Sequence, residues 1–418
     1  MPVHGSWVRS RRRASIYVMV LGTALLVTVL GVSALLNVQV QRVAQSGGAD
    51  FAQARLLAQS AIDYGMWLTS SDPNWRDKYA NGAWVAGMKA GNGTFDLSVV
   101  DPNDGDFTDA PTEAVLMTGT GRFGDAACAL RVRLKPQTVP LDVLRTSVHI
   151  TSGLVIATSG HITANGGPVS SNGTIQVNGG ISGDAEAAVV VNPKKVTGTV
   201  TAPAAPKDAP PDAVIDYYLA RATPIPYMNL IWKCVISNKR NPYGSLNADG
   251  LYSMDTGGAN LDIGGMRLRG TLVIQTQGGR VRLDPSVLME PYRADYPVLI
   301  VDGDLEIRLD PAAYLFELIW GTNFNPSGTP YNSQSDSDTQ DAYPNTIAGL
   351  IHVRGNVEIV SNASLSGVIL ASTMTDFSKQ LSITHMDTLW SNPPVGYATY
   401  ALKPVAGSWQ RISLPDAP

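Results

Sequence analysis

A charge-free run from Ile16 to Leu36 is the strongest constraint on how this chain folds. As an α-helix the run extends about 31 Å, which matches the hydrocarbon thickness of a bilayer. We therefore predict a transmembrane helix over residues 14–37. Its predicted membrane anchor consists of large apolar residues spaced along the run: Ile16, Leu21, Leu25, Leu30 and Leu36.

Four arginines precede this run, and residues 1–13 contain no acid. The four are Arg9, Arg11, Arg12 and Arg13. By the positive-inside rule, they predict a cytoplasmic stub over residues 1–13, with the bulk of the chain across the membrane. Because the whole chain has a formal net charge of −4, the part beyond the stub carries −8. A cleaved signal peptide is the alternative, since Val32-Ser33-Ala34 fits a small-x-small cleavage site.

A second helical pattern follows, beyond a predicted break at Ser46-Gly47-Gly48. Residues 50–68 carry an apolar face with helical spacing, and Ser70 to Pro73 predicts its end. Small residues recur at the same spacing, which allows close approach of another surface. The chain's own domain and a separate partner are both open as that surface. The predicted helix-packing residues are Ala54, Ala58, Ala61 and Gly65.

A basic leader, a hydrophobic helix, an alanine-rich helix and then strands form the layout of type IV pilin-like proteins. The segments at residues 54–65 and 93–101 resemble the helix after the anchor and the first sheet strand of PilX-type pilus assembly proteins. The resemblance ends near Pro136. It implies a helix held in the bacterial inner membrane that later packs against other pilin-like subunits. The chain departs from the pilin pattern at Arg13-Ala14-Ser15, where no cleavage-site glycine stands, and its span lacks the pilin glutamate.

Residues 38–140 are predicted to form a small pilin-like α+β module. Within it, Gly119-Thr120-Gly121-Arg122-Phe123-Gly124 matches the G-x-G-x-x-G pattern of dinucleotide sites. That fingerprint requires a helix directly afterwards, whereas residues 127–134 alternate with the period of a strand. We therefore assign these glycines to a hairpin and predict no cofactor.

The remainder is predicted to be a large, mainly-β domain of β-solenoid-like or stacked-strand repeats, in segment 146–200 and in segment 250–418, which also includes a C-terminal tail. In the first segment Ser152-Gly153, Asn165-Gly166 and Asn178-Gly179 recur at a constant interval, which is typical of short-period strand repeats. In the second, residues 298–307 align with residues 350–359. Segment 201–249 is predicted to be a Pro/Ala-rich linker and helical insertion.

Few residues suggest chemistry. None of the five histidines stands at metal-ligand spacing from another histidine or a cysteine, and no catalytic residue or metal site is assigned. A disulfide between Cys128 and Cys234 stays open, as does calcium binding at residues 101–106 or at Asp336, Asp338 and Asp341. Asp302 and Asp304 are the paired carboxylates that a β-helix carbohydrate-active enzyme would use.

The sequence therefore predicts a non-catalytic, membrane-anchored structural component of a type IV pilus or type II secretion-like assembly. Its expected partners are membrane lipid and other pilin-like subunits. A sequence pI near 5.7 argues against nucleic acid, and no small-molecule substrate is evident. The alternatives are a membrane-tethered carbohydrate-active enzyme and a surface adhesin or binding module.

Overall fold

A computed structural model describes residues 8–72, 75–108 and 113–414, except for the side chains of residues 8–16 and 375–376. The chain divides into two compact units. The first comprises Met1–Thr138 and Tyr400–Pro418, and the second comprises Val139–Thr399. The second unit is thus an insertion between two parts of the first.

The α-helices of the described residues are α1 (Val8–Ser71), α2 (Trp75–Lys78), α3 (Ala213–Leu219), α4 (Glu317–Trp320) and α5 (Thr388–Ser391). The strands are β1 (Gly82–Ala90), β2 (Gly93–Val100), β3 (Val115–Phe123), β4 (Ala126–Pro140), β5 (Val148–Ile156), β6 (His161–Asn165), β7 (Val169–Val177), β8 (Gly180–Ser182), β9 (Ala185–Val191), β10 (Val200–Thr201), β11 (Thr223–Pro224), β12 (Leu230–Ser237), β13 (Leu251–Asp255), β14 (Leu261–Arg269), β15 (Thr271–Leu283), β16 (Val287–Glu290), β17 (Leu299–Ile307), β18 (Tyr314–Phe316), β19 (Ala342–Pro344), β20 (Thr346–Ile359), β21 (Ala363–Phe377), β22 (Gln380–Thr384), β23 (Ala398–Pro404) and β24 (Gln410–Ile412).

The helix α1 runs unbroken from Val8 to Ser71, so the predicted break at residues 46–48 is wrong. Glycine costs about 1 kcal/mol relative to alanine inside a helix. That cost does not interrupt a helix already formed on both sides, because adding a residue is far easier than nucleating a turn. The predicted end is confirmed, since α1 stops at Ser71, just before Pro73.

The first unit packs this helix on a six-stranded sheet of order β1-β2-β3-β4-β23, with β24 also paired to β4. The pairs β1–β2, β2–β3 and β3–β4 are antiparallel. Strand β2 alternates between buried and half-buried positions, which places Phe95, Leu97 and Val99 in the core shared with α1. An α+β module therefore follows the apolar half of the helix.

Most of the second unit is a parallel array of sixteen described strands, and β18 and β19 form a separate antiparallel pair. The chain enters it in the middle, at β5, and runs outward through β7, β9 and β10. After α3 it resumes at the opposite end, at β11, and returns through β13, β15, β17 and β20 to β21. Strand β21 pairs with β5, so the path through the array returns to its starting strand. The two ends of the second unit are joined by the Leu141 amide, which donates to the Tyr397 carbonyl at 3.0 Å.

The strand pairings do not show the regular solenoid that the sequence predicts. Five parallel strands close into a ring in the order β14-β16-β20-β17-β15. The ring closes because long strands change partners along their length: the first half of β15 pairs with β13, and its second half pairs with β14. The remaining strands flank this ring. The coarser prediction, a long apolar helix followed by a mainly-β body, is confirmed.

The interval between the glycine pairs of the first segment is not the spacing of stacked positions. Val148 pairs with Val169, and Ile162 pairs with Ile181, so paired positions lie farther apart in sequence than Gly153 and Gly166 do. Each glycine pair instead lies in, or directly after, one of three successive strands: β5, β6 and β7. These strands do not stack in sequence order, because β5 pairs with β7, whereas β6 pairs with β8 and β22.

The alignment of residues 298–307 with residues 350–359, by contrast, matches the observed register. Leu299 faces Ile351 and Ile307 faces Ile359 across the parallel pair β17–β20. The two aligned stretches are therefore adjacent strands of the ring.

Segment 201–249 contains both the short helix α3 and a regular strand of the array. Strand β12 pairs in parallel with β14, from Leu230 beside Asp262 to Ser237 beside Arg269. Residues beyond 400 belong to the first unit, where β24 pairs with β4.

Candidate membrane and assembly helix

The first half of α1 is apolar and exposed. Residues 17–41 carry no charge, and the structure shows α1 long and apolar enough to cross a membrane by length and composition. The predicted anchor residues project outward, with exposed fractions of 71% for Leu21, 64% for Leu25, 60% for Leu30 and 56% for Leu36. A contiguous apolar surface of this extent marks a membrane or protein contact site.

Two threonine hydroxyls on this half of the helix are satisfied internally. The Thr23 hydroxyl donates to the Met19 carbonyl at 3.0 Å, and the Thr28 hydroxyl donates to the Ala24 carbonyl at 2.8 Å. Such bonds remove the cost of bringing a hydroxyl into an apolar medium. The predicted orientation residues Arg9, Arg11, Arg12 and Arg13 lie in the first turns of α1, as does Ile16, and their side chains fall outside the described residues.

The second half of α1 is held by its own sheet. The predicted packing residues Ala54, Ala58 and Ala61 are fully buried, and Gly65 is buried as well. A Cβ added to Gly65 would lie 2.9 Å from the sulfur of Met117 in β3. The small-residue stripe therefore contacts the sheet of the first unit, leaving the apolar half before it as the exposed surface.

The glycines of the G-x-G-x-x-G pattern form the other side of that contact. A Cβ on Gly119 would lie 2.1 Å from the Ala58 carbonyl oxygen, and one on Gly121 would lie 2.1 Å from that of Ala54. Only glycine allows the helix backbone to approach this closely. Gly124, with a φ of 55°, turns the chain so that Phe123 pairs with Ala126. The predicted hairpin is thus present, and two of its glycines allow α1 to pack closely against β3.

The paired carboxylates of the enzyme alternative are engaged in the array. Asp302 forms an ion pair with Arg354 at 3.4 Å, and Asp304 accepts a hydrogen bond from the Asn356 amide at 2.8 Å. Both contacts join β17 to β20. These carboxylates therefore link the two neighbouring strands.

Two histidines are buried in the second unit. Nδ1 of His149 lies 3.0 Å from the Ser170 hydroxyl, and Nδ1 of His352 lies 2.8 Å from the Tyr397 hydroxyl. Burial lowers the pKa of each imidazole to about 4. Both rings are therefore neutral near pH 7. His161 and His385 bond to Ser182 and to the Leu144 carbonyl, and His4 lies outside the described residues.

The cysteines are both free and buried. Cys128 belongs to β4 and Cys234 to β12, and burial raises the pKa of the Cys234 thiol to about 11. A thiol with so high a pKa is a poor nucleophile, so Cys234 acts as a packing residue.

Within the described residues, two groups of carboxylates are close enough to share a cation. One is Asp101, Asp104 and Glu113, and the other is Glu317, Asp336 and Asp341. Asp338, named with the second group from the sequence, instead accepts the Gln340 amide. Sequence reasoning missed Glu317, which stands before the polar loop, because only the fold brings β18 and β19 together.

Comparison with known proteins adds little to this geometry. No protein-family model and no curated protein matches the chain. Among solved structures, the chain is similar to the competence-associated pilin ComZ from Thermus thermophilus, with 10% identity and a TM-score of 0.32. The match covers 87% of this chain and 98% of that chain. A likeness this distant carries no argument about function.

Proposed function

We propose that this chain is a non-catalytic, pilin-like subunit of a type IV pilus or type II secretion-like assembly. In this proposal α1 anchors it in the bacterial inner membrane, with the amino terminus in the cytoplasm and both compact units outside. The observation that carries the proposal is the division of α1 into two halves. The first half exposes its apolar side chains, and the second half is seated on an antiparallel sheet through alanines and glycines.

The division matters because one helix meets two different environments. Its packed half fixes the sheet of the first unit to the helix, while residues 17–36 present mostly apolar side chains to their surroundings. Lipid suits that surface before assembly, and helices of other pilin-like subunits would replace lipid within a filament. The second unit, inserted between Thr138 and Tyr400, would then be displayed as a binding or spacer surface.

The anchoring step is tested by fractionating cells that express the full chain. We expect the protein to stay with membranes through alkaline carbonate extraction and to be released only by detergent. A variant with Leu25→Arg and Val29→Arg should shift toward the soluble fraction, because each centrally placed arginine costs about 2.5–3.5 kcal/mol on insertion scales. Release of the unaltered protein by carbonate would contradict membrane anchoring.

The assembly step is tested by cysteine crosslinking in membranes. Leu25→Cys places a thiol on the exposed apolar half, and Gln53→Cys places a matched thiol on an exposed position of the packed half. Because Cys128 and Cys234 are buried, the unaltered chain serves as the background. We expect crosslinks to a pilin-type subunit or a second copy from Leu25→Cys alone. Equal crosslinking at both positions, or none at either, would leave anchorage without assembly and overturn the filament role.

A further inference from the structure

The loop between β2 and β3 brings three carboxylates together in the first unit. Asp101, Asp104 and Glu113 each contribute an oxygen atom, and these atoms lie within 4.8 Å of one another. The first two flank Pro102 and Asn103, and Glu113 stands at the far end of the loop. The loop's residues 109–112 are outside the described part of the chain and take no part in the argument.

Asp101 is the buried member of this group, and one of its carboxylate oxygens has no hydrogen-bond partner. Asp101 is only 3% exposed, and its Oδ1 accepts the Asn103 amide at 2.7 Å. Its Oδ2 is also buried and has no hydrogen-bond partner. Burying a charged oxygen without a partner costs several kcal/mol. A cation among the three carboxylates would remove that cost, and this oxygen is the observation that points to a ligand.

The donor set indicates which cation fits. All three groups are carboxylates with a combined formal charge of −3, and no sulfur or imidazole belongs to the cluster. Hard divalent cations prefer oxygen donors, and Ca²⁺ accepts irregular geometry from loops more readily than Mg²⁺ does. We propose that Asp101, Asp104 and Glu113 form a Ca²⁺ site that ties the two ends of the β2–β3 loop.

The other acidic group is less suited to a cation, because protein donors already occupy its central carboxylate. Oε1 of Glu317 accepts the Phe324 amide at 2.5 Å and the Tyr343 hydroxyl at 3.1 Å. Its Oε2 accepts the Asp341 amide at 3.1 Å. Glu317 thereby holds the loop beyond it through hydrogen bonds, and its group offers a control in the same chain.

The loop also carries a spectroscopic reporter. Phe107 packs against Trp75, with ring centroids 5.4 Å apart, and against Trp84, with centroids 6.1 Å apart. Arg76 donates to the carbonyl oxygens of Phe107 and Glu113, which connects these aromatic rings to the end of the loop. Excited tryptophan near the site should therefore sensitise the luminescence of bound Tb³⁺, a common substitute for Ca²⁺.

The test uses the detergent-solubilised full chain, titrated with Ca²⁺ in a calorimeter and with Tb³⁺ under tryptophan excitation. We expect saturable binding of Ca²⁺ and sensitised Tb³⁺ emission that Ca²⁺ displaces. Asp104→Asn alters an exposed side chain and should preserve the fold, yet weaken Ca²⁺ binding about tenfold or more, since affinity depends on the number of charged ligands. Glu113→Gln should act similarly.

Two matched variants identify the site. Asp125→Asn removes an exposed carboxylate of the same unit and should bind Ca²⁺ normally, as should Asp336→Asn in the other acidic group. The proposal is overturned if the unaltered chain binds no Ca²⁺ at millimolar concentration. It is equally overturned if Asp104→Asn and Glu113→Gln both bind like the unaltered chain, or if only Asp336→Asn loses binding.

Discussion

Glu306 and Glu358 occupy matched positions on the neighbouring parallel strands β17 and β20, yet their environments differ sharply. The Glu306 side chain is 1% exposed, whereas that of Glu358 is 51% exposed. Arg280 approaches Glu306 to 2.6 Å and Arg282 approaches it to 3.1 Å, and Arg308 pairs with it as well. A glutamate at the same register position is thus buried and paired with arginines in β17 but exposed in β20.

Glu306→Gln should therefore destabilise the second unit by about 2 kcal/mol. Removing one partner of a buried pair typically costs about 3–5 kcal/mol, and the cost is smaller here because the arginines left behind are each about one-third exposed. The matched control is Glu358→Gln, whose carboxylate lies 3.8 Å from Arg280. It should change the free energy of unfolding by less than about 0.5 kcal/mol. Denaturant unfolding of the full chain in detergent measures both, and equal losses would refute the distinction.

Gly119→Ala and Gly121→Ala should each destabilise the first unit by about 3 kcal/mol. The new methyl group would meet a helix carbonyl at 2.1 Å in either case, so the helix or the strand must move. Gly244→Ala is the control, because its Cβ would lie 3.8 Å from the nearest side-chain atom and its backbone needs no positive φ. Thermal unfolding followed by tryptophan emission distinguishes them. A mild effect at Gly121 would show that the close helix–sheet contact is wrong.

Acid should weaken the second unit through His149 and His352. Each has a folded-state pKa of about 4, below the ordinary value of 6.5, because burial disfavours the charged ring. As the pH falls, the unfolded state takes up the proton first, so stability is lost between about pH 6.5 and pH 4 and levels off for these groups below that. The shift corresponds to about 3 kcal/mol per histidine at most.

Nearby charges also act on the pKa of each ring. Lys207 further lowers the pKa of His149, and Arg354 lowers that of His352 while Asp212 raises it. In the His149→Gln variant, the free energy of unfolding should therefore change less between about pH 6.5 and pH 4 than in the unaltered chain. The stability that the variant loses at pH 8, where the imidazole is neutral in both states, serves as the baseline. A curve parallel to that of the unaltered chain would exclude His149 as a source of acid sensitivity.

Gly47→Ala combined with Gly48→Ala should stabilise the middle of α1. A Cβ at either position meets nothing within 4 Å, and each replacement gains about 1 kcal/mol of helix propensity. Amide hydrogen exchange should slow for residues around 44–52 and stay unchanged in β3. Unchanged exchange near Gly47 would mean that another contact, not glycine, limits local opening.

Sequence reasoning was most successful where the signal was local. Three features depend only on neighbouring residues: the charge-free run, the end of α1 before Pro73 and the Gly124 turn. The alignment of residues 298–307 with residues 350–359 also matches the structure, because those two strands are adjacent. The regular interval between glycine pairs was misleading because strands equally spaced in sequence lie on different sides of the array. Arg267 shows the limit: it is fully buried and donates to the Phe324 and Thr329 carbonyls, partners that no local pattern connects.

The two ends of the second unit lie beside each other. Leu141 and Tyr397 are joined by a backbone hydrogen bond, and the Thr399 hydroxyl donates to the Val139 carbonyl at 3.4 Å. The chain therefore enters and leaves the second unit at one place, so the strands between Val139 and Thr399 form a closed excursion of the chain.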